Sequence, residues 1–159
     1  MIRKTVQKIK AIMRKALMEG VTARGLALSA SVGIYIAFSP FPGAHTIMMV
    51  AAAWLLGLHF PTLFIFTSIN NPWTMLPFFS GDYAFGYWFV HKIVGWHPTW
   101  TISLAKIFGS GTVCLWSFFI GGNILGIATA CAFYPVLYLF FRRMQARLAL
   151  SSRGPHEGD

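Results

Sequence analysis

Polar and apolar positions are distributed very unevenly along this chain. Lys, Arg, Asp and Glu are absent from the 57 positions between Arg24 and Asp82 and from the 35 between Lys106 and Arg142. Uncharged apolar runs longer than about eighteen residues read as membrane segments. Ahead of them, Ile2, Val6, Ile9, Ile12, Met13, Ala16 and Leu17 recur every three or four residues, with lysines and arginines filling the other face. That spacing predicts a basic amphipathic helix over residues 1–24, lying in the headgroup plane against anionic lipid. The apolar part starts only near residue 26, so the stretch is a poor secretory signal.

Residues 25–58 read as two apolar arms around SPFPG. A single helix of that length would span about 51 Å against a hydrocarbon layer of roughly 30 Å, and Pro40, Pro42 and Gly43 interrupt it. Each arm, 25–38 and 44–58, is about 21 Å long. The arms either re-enter as a hairpin or cross separately. Gly25, Ser29, Gly33 and Ala37 fall at successive i+4 positions, and a hairpin sets them opposite Ala53 and Gly57, where small residues let backbones approach. Broken backbone at membrane depth is tolerated only where protein or trapped water satisfies it.

A kinked crossing follows over residues 61–94. Asn71 before Pro72 is a helix-start signal, because the amide oxygen accepts from first-turn N–H groups and proline needs no donor there. One helix is therefore expected to end near Asn70 and another to begin at Pro72. Trp96, Pro98 and Trp100 introduce a short segment through Lys106 that fits a flat interfacial helix. The last run, 112–141, would form a helix of about 45 Å that Arg142 and Arg143 stop at the cytoplasmic face. Its Gly122, Gly126 and Ala130 stripe serves either docking on the hairpin or homodimerisation.

Composition agrees with the pattern. Of 159 residues 56% are hydrophobic and 11% charged, against roughly 25% charged in soluble domains. This excludes a disordered chain and leaves a soluble globule without a charged coat. The net charge of +9 gathers at the ends, with seven basic residues in the first 24 and Arg142, Arg143, Arg147 and Arg153 in the tail. By the positive-inside rule both termini face the cytoplasm, which makes a multi-pass membrane protein with an even number of crossings. The expected organisation is thus the 1–24 helix, one membrane domain over 25–141, and a basic, disordered tail over 142–159. The fold class is all-α: a small integral membrane protein with Pro-broken or re-entrant helices and an amphipathic N-terminal helix.

Candidate chemistry is sparse. Cys114 and Cys131, about 25 Å apart along one expected helix, cannot bridge, and the histidines lack metal spacing, so no metal or cofactor is expected. The polar residues inside the apolar runs, Ser39, His45, Thr46, Asn70, Asn71 and Thr74, form a candidate polar membrane site. The asparagines and Thr74 either cap helix ends or contact a ligand, and His45 is either an interior hydrogen-bonding residue or a proton relay. Asp82 is the only acid between Glu19 and Glu157. It either caps a helix beside Ser80 and Gly81 or binds a proton or cation; at mid-membrane it would cost on the order of 2.5 to 3.5 kcal/mol.

SPFPGAHT, then INNPWTM, then DYAFGYW resemble the small prokaryotic membrane proteins grouped as domain-of-unknown-function family two-zero-six-two. Its pattern is Pro-x-x-Gly-x-x-Thr, then Asn-Pro-x-Thr before an aromatic-Gly segment, and the resemblance covers residues 20 to 141. His59 departs from it, standing near where members often carry asparagine. The resemblance implies fold and membrane location and no defined activity. Two functional expectations follow. One is a small transporter, channel or lipid-translocating protein; the other is a non-catalytic anchoring or assembly subunit. No nucleophile-base or carboxylate-pair signature marks an enzyme. The expected partners are membrane lipids, with anionic headgroups at the basic ends; a homo-oligomer with a second copy of the chain stays open. Nucleic acid is not expected, since the aromatics lie away from the lysines.

Overall fold

The computed structural model describes residues 7, 11, 12, 14–16, 20–39, 43–71, 73–95, 101–103 and 112–151. Most of the expected N-terminal amphipathic helix and the end of the tail lie outside these residues. Residues 7, 11, 12 and 14–16 are helical, and Ala16 is buried against Ala23, Leu26, Ala27 and Phe141.

Helix α1 spans Ala23–Phe38. Thr22 starts it by accepting a 3.1 Å hydrogen bond from the Gly25 N–H. It stops at Ser39, whose extended backbone is the conformation that a following proline enforces. Helix α2, His45–Leu56, ends at Gly57, which takes the left-handed φ of 60° that closes a helix C-terminus. Helix α3, Phe60–Thr67, carries Pro61 in its first turn, where no donor is missed. Helix α4, Met75–Trp88, continues into a π-helical turn, Phe89–Val94, closed by Gly95 at φ 67°. A short antiparallel ribbon pairs β1, Thr101–Ser103, with β2, Thr112–Cys114. Helix α5, Leu115–Ser151, has 37 residues, about 55 Å at 1.5 Å per residue. The chain is all-α apart from this ribbon.

Helix α5 is the spine on which both α1 and α4 lie, and α3 packs on another face of α1. The core divides accordingly. Leu26, Ala27, Ala30 and Phe141 join α1 to α5, while Ile36, Met49, Leu58 and Leu63 gather α1, α2 and α3. Small residues set the approach distances. A methyl group on Gly33 would sit 2.7 Å from the Leu63 carbonyl and 2.9 Å from Phe66 Cβ in α3, and one on Gly126 would meet Phe38 Cβ at 3.0 Å.

Several expectations change. The chain does break at SPFPG, but the Gly25, Ser29, Gly33 and Ala37 stripe faces α3 more than the second arm: Gly33 abuts Leu63 and Thr67, and Ser29 bonds His59. An i+4 stripe specifies close approach and leaves the partner open. The helix expected from Pro72 begins at Met75. Residues 101–103 of the expected interfacial helix form a strand; residues 96–100 and 104–110 lie outside the described set. Cys114 precedes the last helix, lying in β2, and only Cys131 is on α5. That helix does not stop at Arg142 and Arg143, nor is the start of the tail disordered: it runs to Ser151, because arginine, glutamine, alanine and leucine are strong helix formers. For the Gly122, Gly126 and Ala130 stripe, Gly126 docks within the chain, against α1.

Candidate functional site

The polar side chains fall into three groups with different surroundings. The first is a hydrogen-bonded seam between α1 and α3. Ser29 Oγ accepts from the His59 N–H at 2.9 Å, Thr67 Oγ1 donates to the Gly33 carbonyl at 3.2 Å, and Asn70 Nδ2 donates to the Ala37 carbonyl at 2.6 Å. Residues 29, 33 and 37 are successive turns of one helix face, so the stripe that brings the backbones together also lines up the groups that bond across it. His59 Nδ1 lies 2.8 Å from the Thr62 hydroxyl at the start of α3. At the end of α1, Ser39 Oγ donates to Met48 Sδ at 3.4 Å.

The second group is local and exposed. Asn71 Oδ1 accepts from the N–H groups of Trp73 and Thr74 at 2.9 and 3.1 Å, and Thr74 Oγ1 donates to the Ile69 carbonyl at 2.6 Å. These bonds cap the turn leading into α4. Thr46 is exposed beside Ile47, Val50 and Trp54 on the outer side of α2. His45, at the first position of α2, is half-buried, with its Nε2 enclosed.

The third group lies at the crossing of α4 and α5. Asp82 is in the middle of α4 and 0% exposed, so it is not a helix cap. Neither carboxyl oxygen has a hydrogen-bond partner among the described residues, and the same holds for the buried hydroxyl of Ser117 on α5. Both residues lie at one crossing of α4 on α5. A methyl group on Gly86 would collide with the Ser117 carbonyl, and one on Gly121 would collide with the Asp82 carbonyl. Asp82 and Gly86 on α4 thus interlock with Ser117 and Gly121 on α5, each pair four residues apart. No described Lys or Arg pairs with Asp82, and no three described His, Cys, Asp or Glu residues gather as metal ligands would.

Sequence reasoning singled out Asp82 but missed Ser117, a serine ordinary in its local context that gains meaning only from the helix opposite. It also missed the bond from Tyr35 Oη to Asn123 Oδ1, 2.8 Å across the α1–α5 interface. The surface around these buried groups is strongly apolar. Trp73 is 91% exposed, Trp54 83% and Ile47 72%, and Phe133, Val136, Leu139 and Phe140 face outward on α5.

Among the described residues one helix segment, Leu115–Leu150, is long and apolar enough to cross a membrane, and Ala23–Ala37 and His45–Leu56 are shorter apolar helices. Among the described residues, a helical body with one short ribbon, many exposed large apolar side chains and polar groups buried where its helices cross defines the class. The chain belongs to the family described as an uncharacterised protein conserved in bacteria, DUF2062, whose family model matches residues 6–149. No curated protein and no solved structure matches it.

Proposed function

We propose that this chain is a small multi-pass transport protein of the bacterial inner membrane, with both termini cytoplasmic, that moves a small solute, ion or lipid. The observation that carries the proposal is the Asp82–Ser117 crossing: three side-chain oxygens without a hydrogen-bond partner among the described residues, enclosed in a body that exposes many large apolar side chains. An exterior of exposed tryptophan, phenylalanine and isoleucine suits lipid. Ionisable groups inside such a body are expensive to insert and characteristically sit where transported or coupling ions bind. The contact at Gly86 and Gly121 leaves no room for a standing pore at this crossing. Movement therefore requires α4 to shift against α5, which is the behaviour of a transporter rather than a permanently open channel. Enzymatic chemistry is not part of the proposal.

The test is reconstitution. Vesicles containing the protein should move protons, sodium, potassium or a labelled phospholipid faster than empty vesicles, and Asp82→Asn should lower that rate. Wild-type protein indistinguishable from empty vesicles in all four assays would reject the transport reading.

A second reading, an anchoring or assembly subunit, draws on the apolar furrow of about 370 Å³ between α1 and α5, lined by Leu28, Val32, Tyr35, Ile127 and Tyr134. It requires a membrane helix from a partner, or a second copy of the chain, to fill that furrow. Crosslinking from Cys131 at its edge should then recover one discrete adduct; only uncrosslinked monomer would exclude it.

A further inference from the structure

We propose that Asp82 is held as the neutral acid and that its exchangeable proton, shared with Ser117, is the ion this crossing binds. The inference deepens the transport reading and rests on it for the purpose of the site, though not for its existence.

Three observations lead to it. First, Asp82 and Ser117 are both 0% exposed, and neither the carboxyl oxygens nor the hydroxyl has a partner among the described residues. A bare carboxylate in such surroundings is costly, whereas the neutral acid combines a donor O–H with acceptor oxygen. A serine hydroxyl offers the complementary donor and acceptor, and Ser117 is the buried hydroxyl on the facing helix that has no partner among the described residues.

Second, the space at the crossing selects the ligand. The carbonyls of Asp82 and Ser117 lie against Gly121 and Gly86, where not even a methyl group fits. A bound metal cation draws a shell of roughly six oxygens. The crossing supplies three side-chain oxygens, fewer than such a shell requires, and a proton needs no shell.

Third, no other described ionisable group competes for the proton. From α1, Tyr35 bonds Asn123; on the π-helical turn, His91 stacks on Tyr87 and Lys92 is exposed. On α5, Cys114 is buried just before the helix begins, and Cys131 is exposed 14 residues beyond Ser117, about 21 Å along the axis. Arg142 and Arg143 lie farther still and are exposed.

Protonation and helix contact are therefore coupled. The neutral acid permits the closed crossing, and loss of the proton leaves an anion that the closed crossing cannot solvate, which drives α4 away from α5 until water reaches it.

Dicyclohexylcarbodiimide, an apolar reagent that adds to protonated carboxyls accessible through lipid, tests this on the full-length protein in phospholipid vesicles, read by mass spectrometry. A single adduct is expected at Asp82, falling about tenfold per pH unit above the midpoint and indifferent to sodium or potassium at fixed pH. Ser117→Ala should displace that midpoint and Ser117→Thr should restore it. Absence of an adduct at Asp82 both in wild type and in Gly121→Ala, whose added methyl wedges the crossing open, in helical, monodisperse protein would overturn the proposal. So would protection by sodium or potassium at constant pH, which would identify a metal-cation site. An unmoved midpoint in Ser117→Ala would remove Ser117 from the site. The readout needs no flux: a labelled Asp82 in a protein that moves nothing rejects transport and keeps the proton site, while flux with an unlabelled Asp82 does the reverse.

Discussion

Gly33→Ala isolates what holds α1 to α3. The added methyl would stand 2.7 Å from the Leu63 carbonyl, 2.9 Å from Phe66 Cβ and 3.2 Å from the Thr67 nitrogen, where ordinary contact begins at 3.4 Å. Two of these neighbours are helix backbone and cannot swing aside, so the helices must separate by about 0.7 Å to restore contact distance. That movement stretches the 3.2 Å bond from Thr67 Oγ1 to the Gly33 carbonyl to about 3.9 Å, beyond hydrogen-bond reach. Overpacking of this kind costs about 1–3 kcal/mol, and a lost interhelical bond adds about 0.6 kcal/mol in membrane proteins. The expected destabilisation is thus about 2–3 kcal/mol, measured by unfolding the protein from mixed micelles with increasing dodecyl sulfate. Gly81→Ala is the matched control. Gly81 is exposed in the interior of α4 with nothing within 4 Å of the new methyl, so the variant should gain up to about 1 kcal/mol from helix propensity. The reasoning fails if the two substitutions change stability equally, or if Gly33→Ala lies within about 0.5 kcal/mol of wild type, the range of an ordinary surface change.

Further outcomes follow from other contacts. Gly121→Ala should wedge α4 off α5 and raise the aqueous reactivity of a cysteine placed at position 82 in a background lacking Cys114 and Cys131; unchanged protection would contradict the interlock described here. A double-mutant cycle with Tyr35→Phe and Asn123→Ala should give a coupling of about 0.6 kcal/mol and no more than about 1.7 kcal/mol, since their bond is 2.8 Å long; strict additivity would remove it. In vesicles, single-tryptophan variants retaining Trp54 or Trp73 should be quenched by brominated acyl chains, because both rings face outward; quenching by aqueous iodide alone would place those faces in water. Cysteines at positions 67 and 70 should resist aqueous labelling while those at 46, 71 and 74 react, which separates the interhelical seam from the exposed caps.

Features encoded by neighbouring residues were legible in the sequence. Prolines and a glycine marked the break after Phe38, and Asn71 marked the turn before α4, although the first helical residue fell later than the Asn-Pro signal indicates. The i+4 run from Gly25 to Ala37 announced a close helix contact, and Asp82 stood out as an acid in an apolar run. Features that depend on two distant segments were not legible. Nothing near Ser117 indicates that it meets Asp82, because that pairing arises from the interlock of Gly86 and Gly121, and no local signal directed the small-residue stripe toward Phe60–Thr67. The extension of α5 past Arg142 was hidden for another reason. Paired arginines mark where a segment leaves the hydrocarbon, whereas helicity is a backbone property that those side chains favour.

Because α5 follows the other helices along the chain, it orders their assembly in time. The bond from Thr67 to Gly33 spans 34 residues, and that from Tyr35 to Asn123 spans 88. During synthesis the first three helices can close on each other while the ribosome is still translating, but α1 and α4 wait with one side bare until the final third of the polypeptide emerges. Until then the apolar residues of α1 that pack on Phe141 stay unburied. Messages truncated before Leu115 should yield products that the cell's membrane proteases remove.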